Sequence, residues 1–212
     1  MRTKRDLSFA LLAVTCAACG VEPSNEQPSG EGPFAVEVVS FEPGANAGFG
    51  QDRMPDVVLG PPRGGQTASG STDVVSLGIA GAIVLRMGRP LIDGEGADLL
   101  VFENPFLFGG THVFSEPGEV SVSEDGVSFH TFPCAVDADS PNGCAGFVPV
   151  LAGELVDVDA TNPATAGGDA FDLADLGLAR AWFVRILDRA ASGAAPSAGF
   201  DLDAVASVHG TD

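Results

Sequence analysis

The chain has 212 residues, and ten basic against twenty-nine acidic side chains give it a formal net charge of −19. Residues 1–18 contribute Arg2, Lys4 and Arg5 against Asp6, so the remainder carries −21, with seven arginines and no lysine. Such an acidic surface repels nucleic acid and anionic lipid, which removes both from the expected partners; it fits calcium binding, or simply solubility in a salty habitat.

The positive first residues lead into an apolar run, residues 7–18, of signal-peptide length and too short to span a bilayer comfortably. The run ends in Cys16-Ala17-Ala18-Cys19-Gly20, which resembles a bacterial lipobox. Cys19 is then acylated through its sulfur and becomes the first residue of the mature chain. Cys16 stands where that motif usually has leucine, and an ordinary secretory signal is the alternative. Gly20, rather than an aspartate, follows the cysteine, which points to the outer membrane or cell surface. Residues 19–33 are rich in Gly, Pro, Ser and Glu and offer almost nothing to bury, so they read as a disordered tether. Residues 34–212 have the length of one domain.

That domain reads as almost entirely β. Residues 34–41 (F-A-V-E-V-V-S-F) are the first strand, and a glycine-rich connection leads to residues 56–59 and the turn Gly60-Pro61-Pro62. Residues 72–77 and 82–87 follow, with Ile83, Leu85 and Met87 alternating against Val84 and Arg86. After the turn Asp93-Gly94-Glu95-Gly96, residues 99–103 (L-L-V-F-E) form an apolar strand at the centre of the sequence. Residues 105–114 (P-F-L-F-G-G-T-H-V-F) read as a long apolar loop. Residues 119–123 and 127–132 flank Glu124-Asp125-Gly126, a hairpin signal that places Val127 and Phe129 opposite Val120 and Val122. Further strands are expected at residues 147–151, 155–158, 181–187 and 204–209. One helical turn is expected after Asp172, with Asp172 as its cap, Asp175 in the capping-box position, Leu173 and Leu176 facing inward and Gly177 as its stop. Short strands with turn residues every eight to twelve positions predict a sandwich or barrel.

Cys134 and Cys144 bracket a polar, turn-rich segment, and outside the cytoplasm that spacing predicts a local disulfide. A metal site built on these two alone has no further Cys or His at ligand spacing.

Several stretches carry a likeness to a known group. Val58-Leu59-Gly60-Pro61-Pro62, Val75-Ser76-Leu77-Gly78, Val101-Phe102-Glu103-Asn104, Val120 to Gly126 and Gly199-Phe200-Asp201-Leu202-Asp203-Ala204-Val205 resemble an exported bacterial family known only as "cell surface protein". The hairpin Val-Ser-Glu-Asp-Gly-Val-Ser-Phe more weakly resembles galactose-binding and discoidin-like jelly rolls. Together they imply an antiparallel jelly-roll-type β-sandwich of eight to ten strands, at the cell surface. They imply no activity.

Three kinds of chemistry remain open. Calcium takes six to eight oxygens from carboxylates, amides and carbonyls on loops. Acids at turn and strand ends offer such ligands: Asp98, Asp201 and Asp203 first, then Asp93, Asp169 and Glu103. A strand over residues 200–205 puts Asp201 and Asp203 on one face. Asp98 and Glu103 stand about 16 Å apart at the two ends of one strand at ~3.3 Å per residue, so one ion takes only one of them; Asp98 is the preferred partner of Asp201 and Asp203. The alternative is that these acids cap turns and pair with Arg180, Arg185 or Arg189. A second possibility is a recognition surface at Phe106 and Phe108, since aromatic rings stack on sugar faces; the competing reading packs both into the rim of the core. Trp182 is expected in the core. The third is an enzyme, but His112, His130 and His209 belong to no motif, and no G-x-S-x-G or H-E-x-x-H is present. The sequence thus points to a surface lipoprotein with a non-catalytic binding or adhesion domain, calcium-stabilised and glycan-binding. A purely structural envelope lipoprotein and a carboxylate-dependent hydrolase are the alternatives.

Overall fold

A computed structural model describes residues 32–64, 70–108, 112–136 and 143–210. The expected signal peptide, Cys19 and the tether as far as residue 31 lie outside the described residues. The fold is an antiparallel β-sandwich. Its larger sheet has five strands in the order β1-β3-β10-β7-β8, formed by β1 (Ala35–Glu42), β3 (Ala82–Ile92), β10 (Arg180–Asp188), β7 (Gly118–Ser123) and β8 (His130–Thr131). The opposing layer is built from β12 (Ala204–Ser207), β4 (Leu99–Phe102) and β9 (Asp169–Phe171), in the order β12-β4-β9. A two-stranded piece pairs β11 (Asp201–Leu202) with β2 (Val75–Ser76).

The main core lies between the layers. Ile83, Leu85 and Met87 of β3, Val120 and Val122 of β7, and Val184 and Ile186 of β10 form one cluster with Leu99, Val101, Phe200, Leu202 and Val205. The expected alternation on β3 is therefore real, and β3 runs five residues further than its apolar pattern, to Ile92. The central run Leu99–Phe102 does not alternate, because both of its faces are covered. Leu99 and Val101 enter the main core; Leu100 and Phe102 pack with Ala204, Ala206, Val150, Ala152 and Ala166 in a second cluster. A strand buried on both faces reads as a continuous hydrophobic run.

Several local expectations are corrected. Residues 105–114 hold a hairpin, β5 (Phe106–Phe108) paired with β6 (His112–Phe114), in which the Phe106 and Phe114 rings stack at 5.1 Å. Asp125-Gly126 does not make a tight two-residue hairpin: β8 begins only at His130, which pairs with Val122, and Val127 is exposed. The Asp125 carboxylate explains this, since it accepts from Val127 N and Ser128 N at 2.8 Å and closes a side-chain turn in place of the strand ladder. Residues 56–58 form a 3-10 turn. Residues 147–151 and 155–158 contribute only the isolated bridges of Val150 with Gly167 and of Val156 with Gly153. Trp182 lies on β10 but is only half-buried, at a register shift between Ala181 and Phe183 that turns it out of the core's alternation.

The turn after Asp172 is a 3-10 turn, Leu173–Leu176, with the Asp172 side chain accepting from Ala174 N and Gly177 in the left-handed region at φ 66°. Leu173 is buried and Leu176 packs against the main core. Cys134 and Cys144 are joined by a disulfide.

A buried carboxylate cluster at one end of the sandwich

Antiparallel register decides which acids meet. Ala204 pairs with Phe102 and Ser207 with Leu99, so the chain before β12 arrives at the Glu103 end of β4, not at the Asp98 end. Asp201 N then donates to Glu103 Oε1 at 3.3 Å, and Asp201 on β11 accepts a short hydrogen bond from the Ser76 hydroxyl on β2. Between β6 and β7, Glu116 turns inward and its Oε1 accepts from Gly199 N at 2.9 Å. Oxygens of Glu103, Glu116 and Asp201 lie within 4.8 Å of one another.

The expected grouping of Asp98 with Asp201 and Asp203 is thereby overturned. Asp98 instead lies with Asp93 and Asp172 at the other end of the strand, its own oxygens accepting from Gly94 N at 2.9 Å and Leu173 N at 2.7 Å, with His209 at 3.9 Å. Asp203 also leaves the group. Because β11 ends at Leu202 and β12 starts at Ala204, the chain breaks its alternation at Asp203, whose carboxylate accepts from Arg63 N and Gly64 N. Asp169 accepts from Gly146 N, Phe147 N and Val148 N through one oxygen and holds that loop.

The electrostatics of the Glu103 cluster are unusual. Glu103 is 3% exposed and its Oε2 is buried without a hydrogen-bond partner. Among the described residues, no ion pair reaches Glu103, Glu116 or Asp201. Burial, then the neighbouring Asp201 charge, pushes the Glu103 carboxyl well above the usual range. Burial and Asp201 raise Glu116 to about 7. Burial lifts Asp201 to about 6, against hydrogen bonding from Ser76 and Asn104. Three acids that oppose each other's ionisation, with no cationic side chain between them, form a site whose natural complement is a cation. Asp98 is also raised, chiefly by burial, but its oxygens are satisfied by backbone N–H groups. Both acidic clusters have a geometry that could hold a metal ion.

Glu116 is the residue that sequence reasoning missed. The available signal was that it is the only acid in residues 105–118, an otherwise apolar and glycine-rich stretch. Of the two aromatic candidates, Phe106 is half-buried and stacked on Phe114, while Phe108 belongs to β5. Among the described rings, Phe114 is about half exposed, at 47%.

The fold and this site define the chain as an antiparallel β-sandwich with buried acidic clusters able to take a metal ion. Comparison with models of known families finds no match. No curated protein matches the sequence either.

Proposed function

We propose that this is an exported surface lipoprotein, anchored through Cys19, whose sandwich is a non-catalytic recognition module for glycan stabilised by calcium at Glu103, Glu116 and Asp201. The observation that carries the reading is the Glu103 carboxyl, buried beside two further acids with one oxygen unpartnered. An all-oxygen, all-carboxylate set suits a hard cation. Calcium–oxygen distances of 2.3–2.6 Å allow two ligands of one ion to stand up to about 5 Å apart, whereas magnesium at about 2.1 Å allows little more than about 4 Å. Oxygens of the three acids all lie within 4.8 Å of one another, a bound that the calcium geometry accommodates. The same burial speaks against hydrolysis, because paired catalytic carboxyls flank a substrate in an open cleft about 5–10 Å apart. The lipobox-like run before Cys19 and the acidic surface support the address.

Isothermal titration of calcium into the chelator-treated protein tests the cation. Wild type is expected to bind one equivalent at this site and Asp201→Asn to lose it; identical titrations of the two proteins would place the ion elsewhere. Cys19→Ala tests the anchor: the protein is expected to move from the membrane to the soluble fraction, and retention in the membrane fraction would refute lipidation at this residue.

A further inference from the structure

The acid cluster is joined to a recess on the surface. Residues 114–117, which carry Glu116, form one wall, and residues 189–192, which follow the end of β10, form the other. The recess has a volume of about 310 Å³, and Val136 also lines it. Its walls are tied together by Arg189 N donating to Pro117 O at 2.8 Å, and an acid stands in one wall and at the foot of the other. Glu116 Oε1 receives Gly199 N, and Asp188 receives Phe200 N at 2.8 Å and Ala80 N at 3.0 Å. Glu116 is thus a member of the cation cluster and of the recess wall at once.

The lining specifies a chemistry. Phe114 is 47% exposed while stacked on Phe106, so it offers aromatic surface from a ring held in place by its neighbour. Ser115 and Ser192 supply hydroxyl groups, and Arg189 is half-exposed, with a single 3.4 Å contact to Glu119 occupying one of its nitrogens. An aromatic surface beside hydroxyls and an arginine fork matches a sugar ring, which has an apolar face and a rim of hydroxyls. The formal charge of −19 disfavours an anionic ligand. The volume lies at the lower end of the ~300–1,000 Å³ of small-molecule sites, enough for one or two rings.

Resting on the calcium reading above, we infer that the recess between residues 114–117 and 189–192 binds a neutral pyranose, and that it does so only when a cation occupies the Glu103–Glu116–Asp201 cluster. In the absence of the ion, Glu116 keeps the hydrogen bond from Gly199 N but has no common ligand to tie it to Glu103 and Asp201, so the segment that sets Phe114 is held by fewer bonds. With the ion bound, Glu116 is drawn into the cluster and the wall is fixed. Sugar and calcium then favour one arrangement of the same segment, and each tightens the other.

The test uses the full chain and a panel of neutral methyl pyranosides, read by saturation-transfer NMR and titration in calcium chloride and in chelator. At least one pyranoside is expected to bind in calcium and to bind at least tenfold more weakly in chelator. Phe114→Ala is expected to abolish sugar binding while leaving the calcium titration unchanged. Equal sugar affinity in calcium and chelator, for a protein that does bind calcium, would overturn the coupling alone. Binding of none of the panel in calcium would overturn the ligand class. A protein that takes up no calcium would instead refute the underlying cation reading, which the calcium titration by itself detects.

Discussion

Glu103 and Gly118 show how much single positions carry. With its pKa raised by burial and by Asp201, Glu103 takes up a proton more readily than a free carboxylate when no cation is present, and glutamine has nearly the same shape and hydrogen-bonding capacity as the protonated acid. Glu103→Gln should therefore change chelator-treated stability by less than about 1 kcal/mol, since no established hydrogen bond is sacrificed, yet remove stabilisation by calcium. Denaturant unfolding with and without calcium separates the two effects; a large loss in chelator would mean that the carboxylate itself is required by the fold. Gly118 opens β7, and a Cβ there would meet Phe200 Cδ2 at 2.5 Å and Ile186 Cγ2 at 3.1 Å, both in the packed core. Gly118→Ala should cost about 1–3 kcal/mol by overpacking, seen as a lower denaturant midpoint. The sequence ranked Glu103 only among the second-choice calcium ligands, behind Asp98, and offered Gly118 as one glycine among 28. Their weight comes from neighbours far along the chain, Asp201 for one and Phe200 for the other.

At the scale of elements, legibility followed locality. The Asp172 cap, the Gly177 stop and the Cys134–Cys144 bridge each depend on residues close in sequence, and each was readable from spacing. So was the division of Asp98 from Glu103, because strand length alone separates them. The partners of Asp201 were not readable. They depend on the pairing of β12 with β4 and on the break at Asp203, and a shift of register is invisible to local pattern. The hairpin of β5 and β6 was hidden for another reason: its strands are three residues each, too short for alternation to declare itself. The disulfide joins residues ten apart, and closing so short a loop should stabilise by about 2–3 kcal/mol. Cys134→Ser with Cys144→Ser is expected to lower stability by that amount in denaturant titration, and an unchanged midpoint would show that the loop contributes nothing to the cooperative unit.

Over the whole molecule, the balance of buried acids sets the dependence on pH. Among the described residues, burial raises Asp98, Glu103, Glu116, Asp169, Asp188, Asp201 and Asp203 in the folded state, while hydrogen bonds lower Asp125 and Asp159. A carboxyl whose folded pKa exceeds its unfolded value binds protons more tightly in the native state. Stability then falls as pH rises from the unfolded values near 4 through the folded values, about 6 for Asp169, Asp201 and Asp203 and about 7 for Glu116. In chelator the protein should be most stable near pH 4–5 and lose stability towards pH 8, opposite to a protein held by ionised salt bridges. Thermal unfolding across that range checks the sign. Calcium competes with the protons of Glu103, Glu116 and Asp201, so its stabilising increment should grow over the same interval and flatten the profile.

The central claim is that the interior acids are assembled for a cation, and thermal unfolding at pH 7.5 with calcium or with chelator addresses it most directly. At one hundred times the dissociation constant, binding to the native state alone contributes about 2.7 kcal/mol. For a domain of this size that raises the midpoint by about 5–10 °C, an increment that Asp201→Asn should abolish. Superimposable transitions in calcium and chelator, or a variant that responds as wild type does, would contradict the account.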